Sequence, residues 1–173
     1  MKTLSDIYFY NALGLANELK NRTVSEAQAL KHLIASLIVG GVGFDVPIEV
    51  EFQKTTSGLG GVIAYISLFI ITGVISYYGT WLTYQVNSKG DGKEFFLRFA
   101  ALTLPVGIQL VVIFLGVGLL LSILAMALIS ALGEWGVHLI EGGFYFAAIA
   151  FIATFFIRMR RYIGVASGAE NYQ

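Results

Sequence analysis

Lysine and arginine are spread unevenly along this chain, and that unevenness limits its fold more than any other feature. Ten of the eleven fall in three patches: Lys2, Lys20, Arg22 and Lys31; then Lys89, Lys93 and Arg98; then Arg158, Arg160 and Arg161. Lys54 alone lies elsewhere. Long apolar runs separate the patches. Four membrane crossings placed between them put all three patches on one side of a bilayer and Lys54 on the other. Short loops rich in Lys and Arg stay on the cytoplasmic side. The chain therefore reads as all-α, a polytopic transmembrane helical bundle of four spans with both termini cytoplasmic.

Composition agrees with a membrane domain. The chain is 57% hydrophobic and 13% charged, with mean hydropathy +0.76, where a soluble domain carries about 25% charged residues. Zero net charge argues against nucleic acid as a partner. The absence of cysteine removes disulfides, thiolate metal sites and Cys nucleophiles. Polar residues interrupt the first thirty positions, so no cleavable signal peptide is expected, and no lipidation pattern is present.

Residues 1–22 are expected to form a helix on the membrane surface, with Leu4, Ile7, Tyr8, Leu15 and Leu19 at roughly helical spacing and aromatics beside them. Residues 23–163 would hold the four spans, at about 24–44, 59–84, 105–132 and 137–157, and 164–173 a polar tail. Thr23-Val24-Ser25-Glu26 fits a capping box that starts the first span at Val24. Its uncharged part, Leu33 to Phe44, has only twelve residues, so a re-entrant or buried short helix is the competing reading. Asp45 to Gly58 is a polar connection in which Val46, Ile48, Val50 and Phe52 alternate. The second span ends in Tyr77, Tyr78, Trp81 and Tyr84, an interfacial aromatic belt.

After the turn Asn87–Lys93 comes Phe99 to Gly133, thirty-five residues without a charge. A straight helix of that length would measure ~52 Å against a hydrocarbon core of ~30 Å. Pro105 suits a helix start and disrupts a helix interior. The expectation is a surface helix over Lys93–Thr103, a break or sharp bend at Leu104-Pro105, then the third span. Glu94 and Arg98 would share the polar face at the headgroups, with Arg98 contacting phosphates or Glu94. One tilted continuous helix is the alternative. A five-span reading, broken at Gly116-Val117-Gly118, would put Arg158, Arg160 and Arg161 outside.

Lipid tails are as apolar as Leu, so helices in a bilayer associate through close backbone approach and interhelical hydrogen bonds. Small residues recur at helical spacing in each span: Ser36 and Gly40; Thr72, Ser76, Gly79 and Thr83; Gly118, Ser122 and Ala125; Gly143, Ala147, Ala150 and Thr154. These predict packed helices, without saying whether the partner face belongs to the same chain.

Ionisable groups inside a membrane are costly and often functional. Glu134, His138 and Glu141, at i, i+4 and i+7, form one candidate proton or ion site, and termination of a helix at headgroup depth is the plainer reading. Gln109, about one turn inside the third span, is expected to hydrogen-bond across helices, with substrate binding as the rival role. Gly90-Asp91-Gly92-Lys93-Glu94 lacks the spacing of a phosphate loop. No catalytic residue, cofactor site or metal site is expected.

From Tyr77 onward the order of features resembles that of uncharacterised small bacterial inner-membrane proteins with a Yip-family-like helical arrangement. It comprises an aromatic helix end, the turn Asn87-Ser88-Lys89-Gly90-Asp91-Gly92-Lys93, the segment Glu94–Phe99, Leu104-Pro105 opening a long span, and Tyr162-Ile163-Gly164-Val165-Ala166-Ser167 after a basic stop. The resemblance implies contacts between proteins within the bilayer rather than catalysis, carries over no functional residue, and points to a bacterial inner membrane. The function expected is an interaction, scaffold or accessory subunit, with the bilayer and either a second copy or other membrane subunits as partners. The rival is a small ion or solute carrier using Gln109, Glu134, His138 and Glu141.

Overall fold

The computed structural model describes residues 7–44 and 59–169. Among these the fold is all-helical: α1 (Ala12–Lys20), α2 (Glu26–Phe44), α3 (Leu59–Lys89), α4 (Phe95–Leu132) and α5 (Glu134–Ser167). Three helices are long and apolar enough to cross a membrane, over Ile66–Lys89, Phe95–Leu132 and Trp135–Ser167. The principal contacts run in series: α3 packs on α5, α5 on α4 and α4 on α2, with α1 laid against α5 and α4. The alternating segment 46–52, Lys54 and Leu4 lie outside the described residues, as do the surroundings of Gly40 and the side chains of Glu134 and Glu141.

Contacts fix the directions. Gly79 meets the Phe156 ring and Gly90 meets Ser167, the same offset twice, so α3 and α5 run parallel. Gln109 meets Arg158, Phe114 meets Phe151 and Gly136 meets Leu128, so the later part of α4 runs antiparallel to α5. Phe99 nevertheless meets Phe155. Phe99 and Gln109 lie ~15 Å apart along α4, while their partners lie only ~4.5 Å apart along α5. The first turns of α4 thus cross α5 steeply, and the change of direction falls in the stretch that holds Pro105.

Of the break or sharp bend expected at Leu104-Pro105, the break is corrected, while the contacts retain a change of direction there. Helix assignment is continuous from Phe95 to Leu132 with Pro105 inside it. Proline in a helix interior removes one hydrogen bond and costs about 3 kcal/mol. Burial offsets that cost here: Ala101, Leu102, Leu104, Pro105, Val106 and Leu110 are all buried. The segment before Pro105 is therefore largely covered by protein. The excess length of the charge-free run is taken up the same way. From Val111 to Leu132 only Phe114, Gly118, Leu121, Ala125 and Leu128 are partly covered, one helical stripe against α5. That exposed stretch rises ~33 Å, close to a hydrocarbon core.

The buried core lies at the end of the molecule that holds the basic patches. It joins Ala12, Leu15, Ala16 and Leu19 of α1 to Ala29 of α2, the first turns of α4, and Met159, Ile163 and Ala166 of α5. The α1 stripe has the i, i+3, i+4, i+7 pattern of an amphipathic helix, and it faces protein where lipid was expected. Asn11 caps α1 by accepting from the Gly14 N–H at 2.9 Å.

The capping box is also corrected. α2 starts at Glu26, and Ser25 is its cap, its hydroxyl accepting from the Gln28 N–H at 3.2 Å. Thr23 instead donates its hydroxyl to the Glu18 carbonyl at 3.0 Å, closing the end of α1.

Of the small residues, Gly79 packs inside the chain: a Cβ there would come 2.2 Å from the Phe156 ring. Thr83 is buried beside it and donates to the Gly79 carbonyl. A Cβ at Gly118 or Gly143 would meet nothing within 4 Å, and the Ser122 and Thr72 hydroxyls turn back to their own helix. Gly79→Leu is expected to force α3 off α5 and cost about 1–3 kcal/mol, against less than about 0.5 kcal/mol for Gly118→Ala. Thermal unfolding of both variants in mild detergent checks this.

Candidate functional site

Two polar clusters lie at the packed end. The first is built by the turn between α3 and α4. Arg98, one turn into α4, is fully buried. Its Nη1 donates to Asn87 Oδ1 at 2.8 Å, Asp91 Oδ1 at 2.5 Å and the Lys93 carbonyl at 2.8 Å, and its Nη2 donates to Asp91 Oδ2 at 2.7 Å. The Asp91 carboxylate thus grips the guanidinium fork with both oxygens, the strongest geometry such a pair has.

The turn is shaped for this grip. The Asn87 carbonyl accepts from the Gly90 and Gly92 N–H groups, and Asp91 Oδ1 accepts from the Lys93 N–H at 3.1 Å. Gly92 sits at φ +67°, which costs glycine nothing, and Glu94 sits at +52°, which does cost a side-chain-bearing residue. Gly90 presses on the end of α5, where a Cβ would come 2.3 Å from the Ser167 carbonyl oxygen. That oxygen accepts from the Asp91 N–H at 2.9 Å. Arg22, just after α1, stands 3.9 Å from Asp91. One aspartate therefore ties together α1, the α3–α4 turn and the end of α5. Arg98 does not reach out to headgroup phosphates as the sequence suggested. Its Nε, by contrast, is buried without a partner among the described residues.

The Arg98 hydrogen bonds hold the Asp91 carboxyl below its ordinary value, with smaller help from the Lys93 N–H and from the charges of Arg98 and Arg22, against the opposing effect of burial. A carboxyl lowered by folding stabilises the fold above its unfolded value, 3.8, and loses that contribution as pH falls through the folded value. Melting temperature is expected to drop below about pH 4 in the native chain. Asp91→Asn, already lacking the charge, is expected to show a flatter profile between pH 6 and pH 3 (roughly the titration range).

The second cluster centres on Gln109, nearly buried in α4. Its Nε2 donates to the Tyr10 carbonyl at 2.6 Å, and its Oε1 accepts from Arg158 Nη1 at 2.8 Å and the Tyr162 hydroxyl at 3.4 Å. The expected interhelical role of Gln109 holds, and the segment before α1 joins it. Nearby, His32 is buried in α2. Its Nε2 accepts from the Tyr8 N–H at 2.9 Å, so Nδ1 carries the proton donated to the Gln28 carbonyl at 2.8 Å. Tyr8 also donates its hydroxyl to Glu18.

The sequence candidates do not form one site. Glu134, His138 and Glu141 stand on the first turns of α5. His138 lies ~30 Å along that helix from Arg158, the partner of Gln109. His138 is exposed. No group of three His, Cys, Asp or Glu able to hold a metal ion occurs among the described residues.

Reading residues singly missed the Arg98 cluster. The available signal was the run Asn87-Ser88-Lys89-Gly90-Asp91-Gly92-Lys93, whose Asx and Gly residues mark a constrained turn. Beside it, Ser76, Tyr77, Thr80, Trp81, Tyr84, Phe95 and Phe96 line an apolar groove of about 520 Å³. Comparison with protein-family models, with curated proteins and with solved structures finds no match to this chain.

Proposed function

We propose that this chain is a multi-pass membrane protein that acts as an accessory or scaffold subunit, offering helix faces to a second copy or to other membrane subunits. The observation that carries this reading is the open series α3–α5–α4–α2. It leaves most of the circumference of α4 from Val111 to Leu132 uncovered by the other described residues, while the polar side chains of the packed end are largely engaged with one another. A bacterial inner membrane, the Yip-like arrangement and a role without catalysis belong to the same proposal. Co-purification from native membranes in mild detergent tests it: stoichiometric subunits or a dimer are expected, and a lone monomer in several detergents overturns it.

The carrier reading draws on Gln109, Glu134, His138 and Glu141. Gln109 lies far from the other three and is held by Tyr10, Arg158 and Tyr162. Proton and cation flux in liposomes separates the readings, and flux abolished by Glu141→Gln would favour the carrier.

Within the proposal, α2 is a fourth crossing. Support comes from Ala29, which belongs to the core at the basic end, and from α3, which begins at Leu59, ~30 Å along its axis from Gly79. The exposed Phe9, Tyr10 and Leu13 beside and on α1 would lie at the headgroups on the basic side. The chain has no cysteine, so single cysteines report topology cleanly. Lys54→Cys is expected to react with an impermeant reagent only from outside, and Gln173→Cys only from inside.

A further inference from the structure

Three independent features mark one level in the molecule. The exposed apolar stretch of α4 ends at Val111, beside Gln109 and its partner Arg158. On α3, the register set by Gly79 and Phe156 brings Trp81 level with Arg158. Trp81 is exposed, and Trp and Tyr concentrate where hydrocarbon gives way to headgroups. Glu134, at the other end of α5, lies ~36 Å from Arg158 along the helix, just over one hydrocarbon thickness.

Among the described residues no carboxylate pairs with Arg158. Its one hydrogen bond among the described residues goes to the neutral Gln109 Oε1, and the ion pairs present belong to Arg22 and Arg98. A guanidinium has five N–H donors in a rigid fork that matches phosphate oxygens. Arg158 is half-buried, and it spends one nitrogen on Gln109, which Tyr162 also touches. The side chain is thereby aimed, and its remaining donors meet no acceptor among the described residues at this level.

We propose that Arg158 is a phosphate-binding site on the basic side of the membrane, filled in the bilayer by the phosphate of a phospholipid headgroup. The Gln109 bond orients the fork, and the lipid oxyanion supplies the negative charge that none of the described residues brings to it.

The full-length protein in nanodiscs of phosphatidylcholine with phosphatidylglycerol provides the test, with retained phosphatidylglycerol counted by native mass spectrometry after detergent release. Arg158→Gln is expected to retain about five-fold less. Arg158→Lys keeps the charge without the fork and is expected to fall between the two, which also guards against a Gln variant that fails to fold. Arg160→Gln removes an exposed charge two residues on and is expected to retain nearly the native amount. Equal losses at Arg158 and Arg160, or no loss in either Arg158 variant, would overturn the proposal. Adding inorganic phosphate separates the sources. Displacement of lipid that depends on Arg158 assigns the site to phosphate in either form, and no displacement assigns it to the lipid headgroup.

Discussion

Arg98→Ala is expected to lower stability by about 3 kcal/mol, less than breaking a fully buried ion pair because water still reaches the Asp91 carboxylate. The substitution leaves Asp91, Asn87 Oδ1 and the Lys93 carbonyl without the donor they all share. It also empties the interior of the turn, because Arg98 is the largest fully buried side chain among the described residues. Loss of the turn should loosen the end of α5, which the Asp91 N–H holds through the Ser167 carbonyl. Unfolding in mild detergent, followed by circular dichroism, gives the size of the loss. Limited proteolysis after Ser167 gives its location. Arg98→Lys is expected to recover only part, since an ammonium cannot meet both Asp91 oxygens along the fork. Full stability in Arg98→Ala would mean that the turn is held by its backbone hydrogen bonds alone.

Gln109→Leu is expected to cost about 2–3 kcal/mol despite the similar volume, because it strands two partners rather than one. The Tyr10 carbonyl loses its donor, and Arg158 loses the acceptor that orients it. The effect should spread to the segment before α1, so hydrogen exchange near Tyr10 is expected to rise along with the fall in melting temperature. Gln109→Glu separates the two roles. It pairs well with Arg158 and cannot donate to Tyr10, so it should restore α4–α5 packing while leaving the Tyr10 region labile. A Leu variant with unchanged melting and exchange would reduce Gln109 to a bystander.

The two sites differ in how far the sequence reveals them. Gln109 is a lone amide in an apolar run, and such a residue needs a partner on another helix; the sequence points to that need without naming Arg158 or Tyr10. Arg98 reads equally well as a surface cation reaching for Glu94 or for phosphates. Only the path of the turn, with Gly92 and Glu94 at positive φ, folds Asp91 back over it. The separation of Gln109 from Glu134, His138 and Glu141 was legible as well, because spans at 105–132 and 137–157 put them at opposite ends, but nothing local could show that Tyr10, Arg158 and Tyr162 hold Gln109.

By itself the sequence determined the helical class, the apolar runs long enough to cross a membrane and the uneven placement of charge. These follow from local quantities: hydropathy over a window, helical period and the positions of Lys and Arg. Tertiary structure decided what the excess length is for. Pro105 and a thirty-five-residue charge-free run argued for a helix that breaks at the membrane surface. Instead α4 stays one helix, because α1, α2 and α5 bury the stretch from Ala101 to Leu110 and so offset the hydrogen bond that Pro105 cannot make. Tertiary structure likewise turned the apolar stripe of α1 toward protein: Ala12 and Ala16 let its backbone come close to α4 and α5, a fit that depends on surfaces distant in sequence.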